Sequence, residues 1–403
     1  MSFLSLKDKI IDEDLCTSCG MCVPACPVNL ISISKQDVPL PQFSYELNKA
    51  VDVCGSCNLC LEVCPGFDTG AVESDKRIFG RERKVEERWT GIYKKSYQLT
   101  TKNPEILSKV AAGGAGTILS ITALEENYVD AMLVIGRDQE KPWMPKAFLT
   151  DSVEKIIECS QSSYCITPNL DLLNNTEFKK IGIVGVPCQI QAVNKVLNNK
   201  HNKDLSSLAN KLAFTMEIAC ASNTSISGTE HLIANILNVE LNKVEEMKYR
   251  EGEYPGQFYV RTKDQEEHYL PFYRLVEEFK KHKTYRCLTC PDWWSGLSDI
   301  SISDGDPNIF ETSRDGGDIK PSSTVMVRTD LGEELIKLAF EKGYINLTDY
   351  DFYNNLGLER KRQRYNNYRL NSEKRVPLPS GPDENISELL SDNEVIEKGI
   401  LRR

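Results

Sequence analysis

Two copies of one cysteine spacing constrain this chain more than any other feature of its sequence. Each copy reads C-x-x-C-x-x-C-x-x-x-C-P, and together they use eight of the fourteen cysteines. Three thiolates of such a run hold one [4Fe–4S] cube, and the fourth binds the cube of the other run. The sequence therefore predicts two cubes, one on Cys16, Cys19, Cys22 and Cys64 and one on Cys54, Cys57, Cys60 and Cys26.

Two other uses of cysteine fit this chain less well. Disulfide frameworks are typical of small secreted domains, whereas this chain has 403 residues and begins with MSFLSLK, which lacks the apolar core of a signal peptide. Zinc sites usually combine paired C-x-x-C knuckles rather than four cysteines in one run. We therefore expect residues 1–70 to form a small α+β domain of the bacterial dicluster ferredoxin type.

Charge and hydropathy argue against two classes of partner. The net charge is −10 and the isoelectric point is near 5.2, so binding to nucleic acid is unfavourable. The mean hydropathy is −0.39, and no apolar run reaches the roughly 18 residues that a transmembrane helix needs. We expect a cytoplasmic protein, either free or docked at the periphery of a membrane complex.

Short β-branched apolar runs alternate with helical patterns in the rest of the chain. The runs cover 130–136, 181–186, 212–218 and 323–329, and the helical patterns cover 189–198, 226–238, 272–282 and 331–342. This alternation predicts an α/β domain, which we assign to residues 105–345. The charged residues 71–104 are predicted to be a linker, either a solvated helix or a docking face for an acidic partner. Residues 346–403 are predicted to be a C-terminal extension that wraps a partner subunit or packs lightly on its own domain.

Four further cysteines have the surroundings of cluster ligands. Cys188 and Cys220 each follow a predicted strand, and Cys287 and Cys290 form a C-x-x-C pair before a proline. Four such thiols can close around a third cube, but the spacing alone fits structural zinc as well. The two remaining cysteines show no ligand spacing and are expected to be free buried thiols: Cys159 and Cys165.

A glycine-rich turn and a strand end together indicate a nucleotide site. Gly113 and Gly114 precede a helical segment, where backbone N–H groups can approach a diphosphate at the positive end of the helix dipole. Thr117 can cap this helix or donate to the same oxygens, and a purely structural turn is equally consistent with the pattern. Gly185 and Pro187 follow a predicted strand and bring its loop to the carboxyl edge of the sheet, where α/β proteins usually bind ligands.

Five motifs occur in the order found in one known family. They are AGGAGT at 112–117, SSY at 162–164, GVPCQIQ at 185–191, RCLTCPD at 286–292 with SDISI at 298–302, and STVMVRT at 323–329 with Gly332. Together they are specific, and the sequence up to about residue 345 resembles the coenzyme F420 hydrogenase/dehydrogenase beta subunits. Two positions depart from the family pattern, since Ala112 replaces a serine and Ser303 replaces a glycine.

The resemblance implies the cofactors of the large domain. One FAD is expected there, together with a third [4Fe–4S] cube on Cys188, Cys220, Cys287 and Cys290. The residues expected near the flavin are Gly113, Gly114, Thr117, Ser163, Tyr164, Gly185, Pro187 and Gln189. Arg250 and Arg286 are candidates for binding the anionic tail of a deazaflavin substrate, with salt bridges as the alternative for both.

The function implied by the resemblance is that of an iron–sulfur flavoprotein oxidoreductase. Reduced coenzyme F420 would give a hydride to FAD, since a flavin accepts two electrons and can release them singly to cubes. The electrons would leave to a redox partner protein or a larger electron-transfer complex, and no acid–base residue is assigned. Two alternatives remain: a ferredoxin-dependent reductase of an organic substrate, similar to 7-hydroxymethyl chlorophyll reductases, and a non-catalytic electron-relay subunit.

Overall fold

The computed structural model describes residues 3–352 except 175 and 318, together with residues 358, 360 and 361. Its strands are β1 (Ile31–Ile33), β2 (Pro41–Phe43), β3 (Lys95–Thr101), β4 (Ala131–Arg137), β5 (Pro145–Thr150), β6 (Ile181–Gly185), β7 (Leu212–Ile218), β8 (Val244–Glu251), β9 (Gln257–Thr262), β10 (Glu267–Pro271), β11 (Ile300–Asp304), β12 (Ser323–Val327) and β13 (Ile345–Asp349). Of the predicted C-terminal extension, the residues beyond 361 lie outside this part.

The helices of the described residues are short, and most of them connect strands. They are α1 (Phe3–Leu6), α2 (Ala50–Cys54), α3 (Leu59–Glu62), α4 (Ala71–Phe79), α5 (Pro104–Lys109), α6 (Ala115–Glu125), α7 (Val153–Glu158), α8 (Pro187–Asn198), α9 (Lys203–Ala209), α10 (Ile226–His231), α11 (Phe272–Phe279), α12 (Tyr285–Thr289), α13 (Ile309–Asp315) and α14 (Asp330–Glu341). The four helical patterns of the sequence correspond to α8, α10, α11 and α14, and α10 continues as a π-helical turn, Leu232–Ile236.

A mixed sheet of eight strands forms the centre of the large domain, in the order β13-β3-β12-β11-β7-β6-β4-β5. Its middle strands β11, β7, β6 and β4 are parallel to one another, and the outer strands pair antiparallel. The four apolar runs of the sequence form β4, β6, β7 and β12. The prediction of an α/β domain behind a small N-terminal α+β domain is confirmed at this level.

Helices cover both faces of the sheet, because its middle strands bear apolar side chains on both sides. In β4, Met132 and Val134 pack on one face with α6, whereas Leu133 packs on the other face with Ile190 of α8. Successive residues of a strand point to opposite faces, so one apolar run supplies two cores. This arrangement leaves the strand ends free to carry the site.

The N-terminal unit and the large domain share one of these cores. The unit consists of the antiparallel pair β1 and β2 and short helices between the cysteine loops. Its own core contains Leu6 and Ile10, whereas Met21 and Val63 pack in the same cluster as Ile190 of the large domain. The cysteine loops are therefore held against the sheet by apolar packing.

Residues 71–104 differ from the predicted linker. The first part forms α4, and residues 95–101 form β3, which lies between β13 and β12 in the central sheet. The interpretation as a linker is therefore wrong for this strand. Its sequence, KSYQLTT, contains a single aliphatic residue, Leu99, so polar side chains hide the strand pattern. The sheet also continues past residue 345, because β13 pairs with β3 up to Asp349.

A buried ion pair anchors the segment between α4 and β3. Arg83 Nε lies 2.7 Å from Asp75 Oδ2, and Arg83 Nη2 lies 3.0 Å from Asp75 Oδ1. Both side chains are 1% exposed. Arg83 Nη2 also donates to the carbonyl oxygen of Ser295 at 3.1 Å. The predicted solvated helix is thus a fixed connection between the cysteine unit and the sheet.

A second sheet, in the order β10-β9-β8, is antiparallel and was not predicted. It packs with α11 around Tyr249, Phe258 and Phe279. Its strands contain many charged residues on the exposed side, and that composition obscured the apolar alternation.

Candidate functional site

The parallel strands β4, β6 and β7 end at one edge of the central sheet. Open α/β sheets bind ligands in the crevice outside the carboxyl ends of such strands. Two cavities lie at this edge. We call them the first cavity, lined by the glycine-rich turn, and the second cavity, lined by four cysteines.

The first cavity measures about 960 Å³, including the part that is open to solvent. Its floor is formed by the ends of three parallel strands, at Val134, Val184 and Ile218. Gly114, Gly116 and Thr117 line one wall at the start of α6. Gly114 has φ +80° and provides no side-chain cap, and the first N–H groups of a helix have no partner within the helix. This wall can therefore bind an anionic oxygen group.

Five of the eight residues predicted to contact a flavin line the first cavity: Gly114, Thr117, Ser163, Gly185 and Gln189. Gly113 does not line it. A Cβ at Gly113 would lie 2.1 Å from the carbonyl oxygen of Leu99, so this glycine is required by the close approach of the turn to β3. Pro187 lines the second cavity instead, because it begins α8 on the side of the cysteines.

Tyr164 and Arg250 lie in an aromatic core beside the first cavity rather than in its wall. The Tyr164 ring centre is 5.0 Å from that of Tyr249 and 6.3 Å from that of Phe279. Arg250 is buried, and its Nη1 donates to Asp304 Oδ1 at 2.6 Å. Both side chains pack in this core, and Arg250 makes a salt bridge, the alternative that the sequence left open for it. Their contacts with flavin and substrate stay predictions.

The second cavity brings together four cysteines that are distant in sequence. Cys188 lies in the first turn of α8 directly after β6, and Cys220 follows β7. Cys287 lies in α12, and Cys290 caps that helix. All four line a cavity of about 510 Å³, including its open part. The backbone N–H of Cys220 donates to the carbonyl oxygen of Trp293 at 3.0 Å, which joins the loop after β7 to the loop after the C-x-x-C pair.

Polar and charged side chains form another wall of the second cavity. Arg286 is 2% exposed, and none of its three guanidinium nitrogens has a hydrogen-bond partner among the described residues. The buried Asp292 accepts from Gln191 Nε2 at 2.9 Å. Burial raises the pKa of Asp292, and Arg286 offsets part of this effect. The buried Lys361 lines the same cavity. A thiolate-ligated cube, an anion with several acceptor atoms, fits these partners.

The four thiols suit both groups that the spacing left open. A tetrahedral zinc site holds four sulfurs roughly 4 Å apart, since a Zn–S bond is about 2.3 Å long. A cube holds its four ligands at separate corners. The cavity brings the four cysteines together for either group.

Electrostatic coupling groups the thiols of the N-terminal unit. Burial raises the pKa of Cys16 to about 12, with the thiol of Cys64 as the next cause. Burial also raises the pKa of Cys60 to about 12, followed by the thiols of Cys57 and Cys26. The fourth cysteine of each run therefore lies near the other run.

Backbone N–H groups point at sulfurs on both sides of this unit. Ser18 N donates to Cys16 Sγ at 3.4 Å, and Leu30 N donates to Cys26 Sγ at 3.4 Å. Hydrogen bonds of this type stabilise thiolates and are one determinant of the reduction potential of a cube.

Shared residues connect the two cavities and the N-terminal unit. Val186 and Gln189 line both cavities. The Gln189 side chain is fixed, because its Oε1 accepts from Val186 N at 3.0 Å and its Nε2 donates to the Thr167 carbonyl oxygen at 3.0 Å. After burial, the thiol of Cys19 is the largest cause of the raised pKa of Cys188. The order in space is first cavity, second cavity, N-terminal cysteines.

Sequence reasoning missed several residues of these walls. Gly116 lies within the AGGAGT motif and was available to find. Cys159 and Gln161 line the first cavity from the end of α7, and no sequence signal placed them there. The other unassigned thiol, Cys165, is buried with its sulfur 3.0 Å from the Thr229 hydroxyl, which agrees with a structural role.

Family models match three parts of the chain. The model described as "4Fe-4S dicluster domain" matches residues 15–71. Two models describe the beta subunit of coenzyme F420 hydrogenase/dehydrogenase. The model of its N-terminal part matches residues 97–174, and the model of its C-terminal part matches residues 178–352.

Curated relatives and a solved structure resemble the chain over most of its length. The coenzyme F420 hydrogenase subunit beta of Methanosarcina barkeri is 29% identical over 264 residues, which cover 64% of this chain and 83% of that protein. The F subunit of the F(420)H(2) dehydrogenase of Methanosarcina mazei is 23% identical over 340 residues, which cover 81% and 82%. A chain of the F420-reducing [NiFe] hydrogenase complex from Methanosarcina barkeri is 27% identical with a TM-score of 0.54, covering 68% of this chain and 90% of its own.

Proposed function

Since the chain belongs to the family of coenzyme F420 hydrogenase/dehydrogenase beta subunits, we propose that it oxidises reduced coenzyme F420 through FAD and passes the electrons over [4Fe–4S] cubes to a partner. At a coarser level the chain is an F420-related iron–sulfur oxidoreductase or electron-transfer subunit. One observation carries the finer proposal: Val186 and Gln189 line both the first cavity and the cysteine cavity. Hydride chemistry and single-electron transfer therefore have adjacent places in one fold.

The first cavity fits an FAD in two respects. The uncapped start of α6, at Gly114 and Gly116, would bind the diphosphate through backbone N–H groups and the helix dipole. The apolar ends of the parallel strands would contact the ring system and exclude water from it. Bound there, FAD would accept a hydride and release electrons one at a time.

The residues of the chain position and insulate these groups. Gln189 is held at both ends of its amide, so the wall between the cavities keeps one shape. The side chains of Ile156 and Ile218 line the first cavity and would shield a bound ring from water. We assign no side chain as a general acid or base, because hydride transfer between flavin rings requires positioning rather than proton transfer.

The twelve cluster cysteines would hold three cubes in a line. The third cube, on Cys188, Cys220, Cys287 and Cys290, would lie between the flavin and the N-terminal pair. Electrons would leave from the cube of the second run, which includes Cys54 and Cys57, because Cys19 of the first run is the N-terminal thiol that couples to Cys188. Exposed apolar side chains near the second run, Leu47 and Val53, suit the surface of a docking partner.

The partner is proposed to be a redox protein or a larger electron-transfer complex. The solved structure that resembles this chain is a hydrogenase complex, and we extend that form of assembly to this chain as part of the proposal. No helix among the described residues is long and apolar enough to cross a membrane. We therefore propose a cytoplasmic location, either free or at the periphery of a membrane complex.

Anaerobic assay of the purified, cofactor-loaded protein tests this proposal. We expect one FAD and about twelve irons per chain, from three cubes of four, and rapid reduction of a viologen dye by reduced F420. Bound FAD without activity toward reduced F420 would favour the reductase of an organic substrate. Cubes without flavin would favour the relay subunit. A preparation with neither flavin nor iron would contradict all three functions.

A further inference from the structure

Arg286 is a buried cation beside the four cysteines of the second cavity. Its side chain is among the largest fully buried ones in the described residues, and it lines the second cavity with the four cysteines. Its Nε, Nη1 and Nη2 have no hydrogen-bond partner among the described residues. A guanidinium offers five N–H donors, and leaving buried donors unpaired costs free energy.

The other polar groups of this wall do not satisfy Arg286. Asp292 Oδ2 accepts from Gln191, and Asp292 Oδ1 has no hydrogen-bond partner among the described residues. By contrast, the buried Arg328 donates to the hydroxyl of Ser301 and to the carbonyl oxygen of Ile92. One buried arginine is thus committed to the fold, and the other keeps its donors for a ligand of the cavity.

We propose that Arg286 sets the reduction potential of the third cube by donating hydrogen bonds to its sulfur atoms and by balancing its charge. This inference rests on the proposed third cube. A cube gains one negative charge on reduction, and a buried cation stabilises that charge more strongly than a cation in water. Arg286 therefore makes the third cube easier to reduce than its thiolates and burial alone would allow.

This role differs from the contact with the substrate tail predicted for Arg286. The side chain lines the second cavity and not the first, so it lies on the cluster side of the wall formed by Val186 and Gln189. Arg286 therefore influences electron transfer out of the flavin site through the third cube. It is a positioning residue and does not contact the reacting ring.

Redox titration of the full-length holoprotein, followed by electron paramagnetic resonance, tests the inference without F420. The signal of the third cube is the one that Cys188→Ala removes. In Arg286→Gln we expect the equilibrium constant for reduction of this cube to fall at least tenfold, which is about 59 mV for a one-electron couple. Arg286→Lys keeps the charge and should restore part of the shift, and the N-terminal cubes should keep their potentials.

Arg314→Gln is the matched control, because it removes the same charge from an exposed side chain that pairs with Asp315. It should leave all three potentials unchanged. An unchanged potential in Arg286→Gln, with about twelve irons retained, would overturn the inference. Loss of four irons in Arg286→Gln but not in Arg286→Lys would support a required buried cation. Loss of four irons in both Arg286 variants would overturn the inference, because the cube would then depend on the shape of the arginine side chain and not on its charge. A wild-type protein with about eight irons would instead defeat the proposed third cube itself.

Discussion

The two groups of proposed cluster cysteines are built in different ways. The eight N-terminal cysteines lie within residues 16–64, and two local runs place them. The other four are spread from residue 188 to residue 290, and β6, β7 and α12 bring them together. A local site depends on its own loop, whereas an assembled site depends on the sheet. The third site should therefore be sensitive to changes in the core that leave the N-terminal cubes intact.

Glu217→Ala should give the largest difference between the two groups. Glu217 is fully buried in β7, accepts from Ser295 N at 2.6 Å and from the Ser301 hydroxyl at 2.9 Å, and so holds the loop behind the C-x-x-C pair. Leaving these buried donors unpaired costs about 1–3 kcal/mol each. We expect iron to fall from about twelve to about eight atoms per chain.

Glu217→Gln is the control for this substitution, because it keeps the shape and one acceptor oxygen. It should retain more iron than the alanine variant. If Glu217→Ala lost iron equally from all three cubes, the distinction between a local and an assembled site would be incorrect.

Asp75→Ala tests whether the N-terminal unit depends on its anchor. Removing one partner of a buried ion pair costs about 3–5 kcal/mol, since the other charge stays buried. We expect a drop of this size in the free energy of unfolding, measured by denaturant titration of the metal-loaded protein. Arg81→Gln, in the exposed pair with Glu87, should cost no more than about 1 kcal/mol. Equal costs would indicate that the segment is solvated after all.

Gly116→Val tests the first cavity separately from the cubes. A Cβ at Gly116 meets only the Ile218 side chain at 3.8 Å, so the helix tolerates the change. The added methyl groups occupy space in the first cavity, where the diphosphate of FAD is proposed to bind. We expect the FAD content to fall at least tenfold and the iron content to stay unchanged, as measured by absorbance and metal analysis. Retained FAD would place the nucleotide elsewhere.

Ala112→Ser should have the smallest effect. Ala112 lines the first cavity, and serine would restore the hydroxyl that the family pattern has at this position. One added hydrogen bond is worth about 0.5–1.5 kcal/mol, so FAD should bind up to about tenfold more tightly. Calorimetric titration of the apoprotein measures this change, and weaker binding would show that the hydroxyl does not reach the ligand.

Local sequence patterns were sufficient to predict those parts of the molecule whose residues lie close together along the chain. The spacing of the N-terminal cysteines and the apolar runs of β4, β6, β7 and β12 were recognisable. The polar strand β3 was not, because Leu99 is the one aliphatic residue among its buried residues, and the others are Ser96 and Thr101.

The sequence also did not reveal which side chains become contact partners in the folded protein. Nothing local distinguishes an arginine that pairs with Asp304, as Arg250 does, from one that faces the cysteines, as Arg286 does. Tyr164 was equally ambiguous, since an aromatic core and a flavin attract the same side chain. The contacts of these three side chains depend on which strands meet at the edge of the central sheet.

Single-turnover reduction of the Cys188→Ala variant shows whether the assembled third cube connects the first cavity to the N-terminal cubes. One equivalent of reduced F420 is mixed anaerobically with the holoprotein, and flavin absorbance and cube signals are followed in time. We expect the wild-type N-terminal cubes to become reduced, whereas in the variant the electrons should stay on the flavin. Equally fast reduction of the N-terminal cubes in both proteins would contradict this connection.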